Sequence, residues 1–211
     1  MRRPAKPVLF GLIAAAVLSI AGSGWSADDV QDRPKTLTHE AELRKLLETS
    51  GWVSPKLPGR KLYMVSYHTC TDCIRFKLEE FPRLHARGVD TRVIVIALAD
   101  KNGMAQSTPA ERATVAQLWI GRDWELLKRW DAAPVTSWAA PGIAPADGDM
   151  ARTAVVEAGR TLADKLRPLL RDNGIRLAYP TLIWWDAEGK LRGCACERRE
   201  TYRFLRKELG V

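Results

Sequence analysis

The chain has 211 residues, 46% of them hydrophobic, and a formal charge of +8. That length suits one domain with a decorated core. The basic residues Arg44, Lys45, Arg75, Lys77, Arg198, Arg199 and Arg203 are scattered and interleave with glutamates at helical spacing. They read as solvated helix faces and argue against a nucleic-acid partner.

The chain opens with Arg2, Arg3 and Lys6, followed by an apolar run from Val8 to Ala21. This is the layout of a signal peptide, expected over residues 1–26, and the run is short for a membrane span. Cleavage fits after Ser23 or Ser26; retention as an inner-membrane anchor is the alternative. Either outcome exports the rest of the chain, to a periplasm-type compartment where disulfides form. Removing the three basic residues lowers the charge from +8 to +5.

Residues 27–60 form an N-terminal segment. Leu43, Leu46 and Leu47 predict a short amphipathic helix within Thr38 to Ser50. Pro55, Pro58 and Gly59 mark a turn. Leu62 to Tyr67 then reads as a buried strand and Ile74 to Ala86 as a helix, with Pro82 expected to kink or end it. Thr91 to Leu98, nearly continuous in β-branched residues, reads as a strand buried on both faces. From about residue 99 to 173 the pattern is helical. Thr108-Pro109-Ala110-Glu111 is a helix start with Thr as N-cap, Pro at N1 and Glu at N3. Trp119, Trp124 and Trp130 read as core. Ala133 to Asp149, rich in Pro, Ala and Gly, reads as a mobile linker or lid. A helix from Ala151 to Arg171, disturbed at Pro168, ends at Asn173-Gly174. Tyr179 to Trp185 is a proline-led strand, Asp186 to Gly189 a hairpin turn, Lys190 to Ala195 the return strand, and Glu197 to Leu209 a closing helix.

Between the first strand and its helix stands Cys70-Thr71-Asp72-Cys73. Free N–H groups and the dipole at a helix N-terminus favour a thiolate at Cys70. Cys73, one turn on, can close a disulfide or resolve a mixed one. Half of a zinc site, or two inert thiols, are the other readings of such a pair.

The order of elements, the C-x-x-C and Tyr179-Pro180-Thr181 together resemble the thioredoxin fold, an α/β architecture. The residues 61–211 are similar to thiol:disulfide oxidoreductases of the DsbC/DsbG/TrbB type, with a helical insertion over about 99–173 before the proline-led strand. Thr69-Cys70-x-x-Cys73 and the helix opening at Pro109 to Arg112 carry that likeness. The resemblance implies a cis Pro180 beside the cysteines, with Tyr179 and Thr181 contacting substrate by strand addition. It implies Gly193 where the last strand passes the cis-proline. A plain strand-start role for Pro180 is the alternative. Some 35 residues between signal and first core strand are too few for the dimerisation domain of DsbC and DsbG, so a monomer is expected.

The resemblance places Cys194 and Cys196 near Cys70. They are read three ways: a second redox pair, a structural disulfide, or partners of Cys70 and Cys73 in a four-thiolate zinc or copper site. A C-x-C disulfide closes a small ring and is expected to be comparatively oxidising. Asp72 is expected to raise the Cys70 pKa. His68 either supports the thiolate or is a solvated residue at a strand end.

The resulting expectation is a periplasmic thiol:disulfide oxidoreductase, with Cys70 as an exposed nucleophile and Cys73 resolving. It needs no cofactor beyond the Cys70–Cys73 disulfide. Protein thiols and disulfides are its substrates, and a membrane protein of DsbD or DsbB type its redox partner. The alternative is a metal carrier on the same scaffold.

Overall fold

Residues 33–211 are described by a computed structural model; the expected signal segment lies outside the described residues. Five strands form one sheet: β1 (Lys35–Thr36), β2 (Lys61–Ser66), β3 (Asp90–Val95), β4 (Thr181–Trp185) and β5 (Leu191–Ala195). Their spatial order is β1-β5-β4-β2-β3. Only β2 and β3 run parallel; the other pairs are antiparallel. The helices are α1 (Glu40–Thr49), α2 (Thr71–Ala86), α3 (Pro109–Gly121), α4 (Trp124–Ala132), α5 (Met150–Asp172) and α6 (Arg199–Leu209).

This is the thioredoxin-like fold with a helical insertion. β2 explains the layering. Its residues are buried alternately on both faces, as a central strand requires. Leu62 and Met64 join Phe76, Leu84, Tyr202 and Leu205 under α2 and α6. Tyr63 and Val65 point the other way, to Leu43 and Leu47 of α1 and Leu162, Leu166 and Leu170 of α5.

The insertion comprises α3, α4 and α5. The α3 start has the expected reciprocal cap: Thr108 Oγ1 accepts from Glu111 N–H (3.1 Å), and Glu111 Oε2 from Thr108 N–H (2.6 Å). Trp119 pins the insertion to the sheet by donating from Nε1 to the Val95 carbonyl (2.8 Å). Arg122 donates to the carbonyls of Ser50 (2.7 Å) and Trp52 (2.8 Å).

Several expectations shift. In the 27–60 segment, where described, β1 pairs with β5, and the short helix α1 lies in the core. Strand β3 ends at Val95 rather than Leu98, although Ile96 N–H still reaches the Ser66 carbonyl (2.9 Å). Neither Pro82 nor Pro168 ends its helix. The 133–149 stretch is irregular but anchored rather than free. Trp138 Nε1 donates to Thr114 Oγ1 (2.8 Å), and Ala140 and Ala146 are buried. Small residues there permit close packing, which composition alone does not distinguish from mobility.

A Cβ placed on Gly51 would stand 2.1 Å from the Trp119 ring. Gly51→Ala is therefore expected to displace Trp119 and lower stability by about 1–3 kcal/mol, measured by urea unfolding. An unchanged midpoint would contradict this packing.

Candidate active site

Cys70 is the N-cap of α2, and its Sγ accepts from the Cys73 backbone N–H at 3.1 Å. The two cysteines form a disulfide. The sulfur of residue 70 thus sits where the unpaired N–H groups and dipole of a 16-residue helix converge. Cys70 is not exposed as expected: it is 3% exposed, and Cys73 is fully buried. The cover is Tyr179, whose carbonyl oxygen lies 3.4 Å from Cys70 Sγ. A reduced Cys70 could donate its S–H there. The Tyr179 ring packs edge-on to Tyr67 at 5.1 Å.

The Tyr179–Pro180 peptide is cis. It precedes β4, whose first residue, Thr181, is buried and donates from Oγ1 to the Ala178 carbonyl. Pairing with β5 then fixes what lies beside the proline. Thr181 stands opposite Ala195 and Leu182 opposite Cys194. The Cys196 N–H donates to the Pro180 carbonyl at 3.1 Å. Gly193 is therefore displaced from its expected place. It pairs with Ile183, and a Cβ there would meet Leu37 at 2.8 Å. Its smallness serves the contact with Leu37, and the segment at Ala195–Cys196 adjoins the proline instead.

Cys194 and Cys196 form a second disulfide, and both are fully buried. Alternation along β5 sends them to one face, into the same apolar cluster as Cys70, Cys73, Phe76 and Tyr202. A four-thiolate metal site needs four free thiolates aimed at one point. In this structure the four sulfurs are joined in two disulfides, so such a site would require both to be reduced first.

Around the cysteines, charge is balanced locally. Asp72 pairs with Arg75 at 2.8 Å, which offsets the negative charge expected to oppose a Cys70 thiolate. Arg75 also donates to the Glu197 carbonyl, joining the first turn of α2 to the chain just beyond Cys196. His68 is not solvated. It is 7% exposed and stacks on Trp130 at 4.3 Å, with no hydrogen-bond partner at either ring nitrogen. Burial, with a smaller contribution from the Lys77 charge, pulls its pKa down to about 4. A neutral imidazole brings no positive charge to the thiolate. Lys77 pairs with Asp131 of α4, whose carboxyl is pushed up by burial despite that partner. Trp130 is buried as expected, but its contact with His68 and the pairing of Asp131 with Lys77 escaped the sequence reading, because the insertion carries no local signal of its approach to α2. Arg75, three residues beyond Asp72, was the one neighbour that helical spacing could have supplied.

Similar chains are known among solved structures. ScsC from Proteus mirabilis in a compact conformation is 12% identical, with 84% of this chain and 82% of that one covered and a TM-score of 0.49. BdbD from Bacillus subtilis, oxidised, is 12% identical over 86% and 100%, at 0.43. DsbA from Chlamydia trachomatis is 13% identical over 64% and 80%, at 0.26. No family model and no curated protein matches the chain. At such identities none of these proteins lends this chain an activity, and its own strand order carries the fold.

The depressed His68 pKa has a definite sign. The unfolded chain takes up a proton at about pH 6.5, which the folded chain resists until about pH 4, so stability present above that window falls as pH drops through it. The slope from this residue is at most about 1.4 kcal/mol per pH unit. His85 is shifted downward by burial as well, so the comparison is with His68→Phe, which keeps the stack. Unfolding of that variant between pH 7 and pH 4 is expected to show a shallower decline than the parent; parallel curves would contradict a buried neutral His68.

Proposed function

We propose that the protein is a periplasmic thiol:disulfide oxidoreductase that exchanges disulfides with protein substrates through Cys70 and Cys73. The observation that carries this reading is the Cys70–Cys73 disulfide at the N-terminus of α2, with the Cys70 sulfur 3.4 Å from the Tyr179 carbonyl. Apolar burial alone would hold two inert thiols; a sulfur at a helix N-terminus has its thiolate stabilised.

In the reducing direction, the Cys70 thiolate attacks a substrate disulfide. One substrate sulfur leaves as a thiolate, and the other stays bonded to Cys70. Cys73 then attacks Cys70 Sγ, closing the disulfide and releasing the second substrate thiol. The oxidising direction is the reverse. Substrate backbone is placed at Tyr179, in the manner of an added strand, with Pro180 and Thr181 fixing that segment. A groove of ≈ 930 Å³ beside Thr69, lined also by Pro109, Glu111, Val135 and Trp138, gives a bound polypeptide room on the insertion side. Its size and openness suit a chain segment better than a small thiol.

The finer placement, beside the DsbC/DsbG/TrbB group, rests on the Thr69-Cys70-x-x-Cys73 pattern. The apolar run at Val8–Ala21 supports export. Among the described residues no helix is long and apolar enough to cross a membrane. A membrane protein of DsbD or DsbB type would set the direction of electron flow.

The test is catalysis of insulin reduction and of refolding of scrambled ribonuclease. Cys70→Ala is expected to lose about 100-fold or more of either activity. Cys73→Ala is expected to accumulate mixed disulfides with client proteins in the cell envelope. One tightly held metal ion per chain without either activity would overturn the assignment in favour of a metal carrier.

A further inference from the structure

The second disulfide has no route to solvent. Cys194 and Cys196 are fully buried, beneath a sheet face covered by α2 and α6. A dissolved thiol or client protein cannot reach their sulfurs without opening the fold. They do adjoin the proposed active site through the backbone. Tyr179 O contacts Cys70 Sγ at 3.4 Å, and the next carbonyl, Pro180 O, accepts from Cys196 N–H at 3.1 Å. Arg75 links the same stretch to α2 from the other side through the Glu197 carbonyl. Both cysteine pairs end in one apolar cluster.

We infer that Cys194–Cys196 is a second redox centre that exchanges electrons only with Cys70–Cys73, inside the protein. This rests on the redox reading of the first pair and extends it. The exchange begins once a dithiol has reduced Cys70–Cys73. The Cys70 thiolate bonds to one sulfur of the second pair as the Cys194–Cys196 bond breaks, and the other sulfur leaves as a thiolate that takes up a proton. Cys73 then loses its proton and attacks Cys70 Sγ, which re-forms the Cys70–Cys73 disulfide and frees the second thiolate for protonation. The net transfer is two electrons and two protons from the first pair to the second. The single residue between Cys194 and Cys196 makes the smaller of the two disulfide rings, which favours the second pair as the acceptor. Each chain then stores two reducing equivalents beyond those of an isolated C-x-x-C.

Thiol counting on the native, full chain tests this, using dithiothreitol as the reductant, rapid alkylation and intact mass. With limiting dithiothreitol, a denaturing quench and peptide mapping, the parent protein is expected to pass through a species with Cys194 and Cys196 alkylated and the Cys70–Cys73 disulfide re-formed, and with excess reductant to expose all four cysteines. In Cys70→Ser/Cys73→Ser, Cys194–Cys196 is expected to open about tenfold or more slowly. Equal opening rates in parent and variant would overturn the proposal by showing direct access. A second disulfide that stays closed in the parent would overturn it by showing a static cross-link. Should the double variant fail to fold, Cys73→Ser decides: on reduction it is expected to trap a disulfide between Cys70 and Cys194 or Cys196, and its absence sinks the relay. Cys194→Ser/Cys196→Ser separates the two readings. If its Cys70–Cys73 disulfide is inert to dithiothreitol, the oxidoreductase assignment fails; if it reacts and the parent shows no ordered second step, only the relay fails.

Discussion

The contact of the Tyr179 carbonyl with the Cys70 sulfur is the point to which the rest of the structure is fitted. It requires α2 to begin at a fixed height above the sheet, which β2 sets by feeding straight into the helix. It requires residues 179 and 180 to arrive on the same level, which the antiparallel register of β4 on β2 sets, with Thr181 opposite Val65. It also requires the far side of the 179–180 segment to be held, which the Cys196 N–H does. Three separate parts of the sequence therefore converge on two peptide units. The segment between β3 and β4 covers the other face of the sheet: α5 lays Leu162, Leu166 and Leu170 against Tyr63 and Val65, and Trp119 ties the insertion to the sheet at Val95.

Burial changes how the sulfur chemistry should be understood. The reactivity proposed for Cys70 rests on the helix terminus, since neighbouring charges largely cancel. Asp72 is met by Arg75, and Lys77 by Asp131. His68 is held neutral against Trp130. The helix dipole and the first-turn N–H groups are fixed by the backbone and do not titrate, so the thiolate is supported by parts of the molecule that pH does not alter.

Much of this was legible in the sequence because its signals are local. A buried β-branched run, the Thr108–Glu111 cap and the Asn173-Gly174 stop each depend on a few adjacent residues. The cysteine pair ahead of a helix and the Tyr179-Pro180 segment ahead of a strand were readable for the same reason. What escaped depends on register and on distant packing. Gly193 was placed beside the proline, whereas the pairing of Thr181 with Ala195 puts it two residues too early. A strand pattern specifies which face a residue takes, but leaves a shift of two residues undetermined. His68 read as a strand-end residue because nothing near it in sequence announces Trp130, 62 positions on. Cys70 read as exposed because its cover is a backbone carbonyl, which no side-chain pattern encodes.

At one edge of the sheet β1 is two residues long. At the other, the outward groups of β3 are engaged at Val93 by Val53 and at Val95 by Trp119. An exposed run of unpaired strand groups invites edge-to-edge association with other chains. A protein built to meet partly unfolded polypeptides would be especially vulnerable to it. With both margins blunted among the described residues, the strand addition proposed at Tyr179 would be brief, ended by thiol exchange rather than prolonged into aggregation.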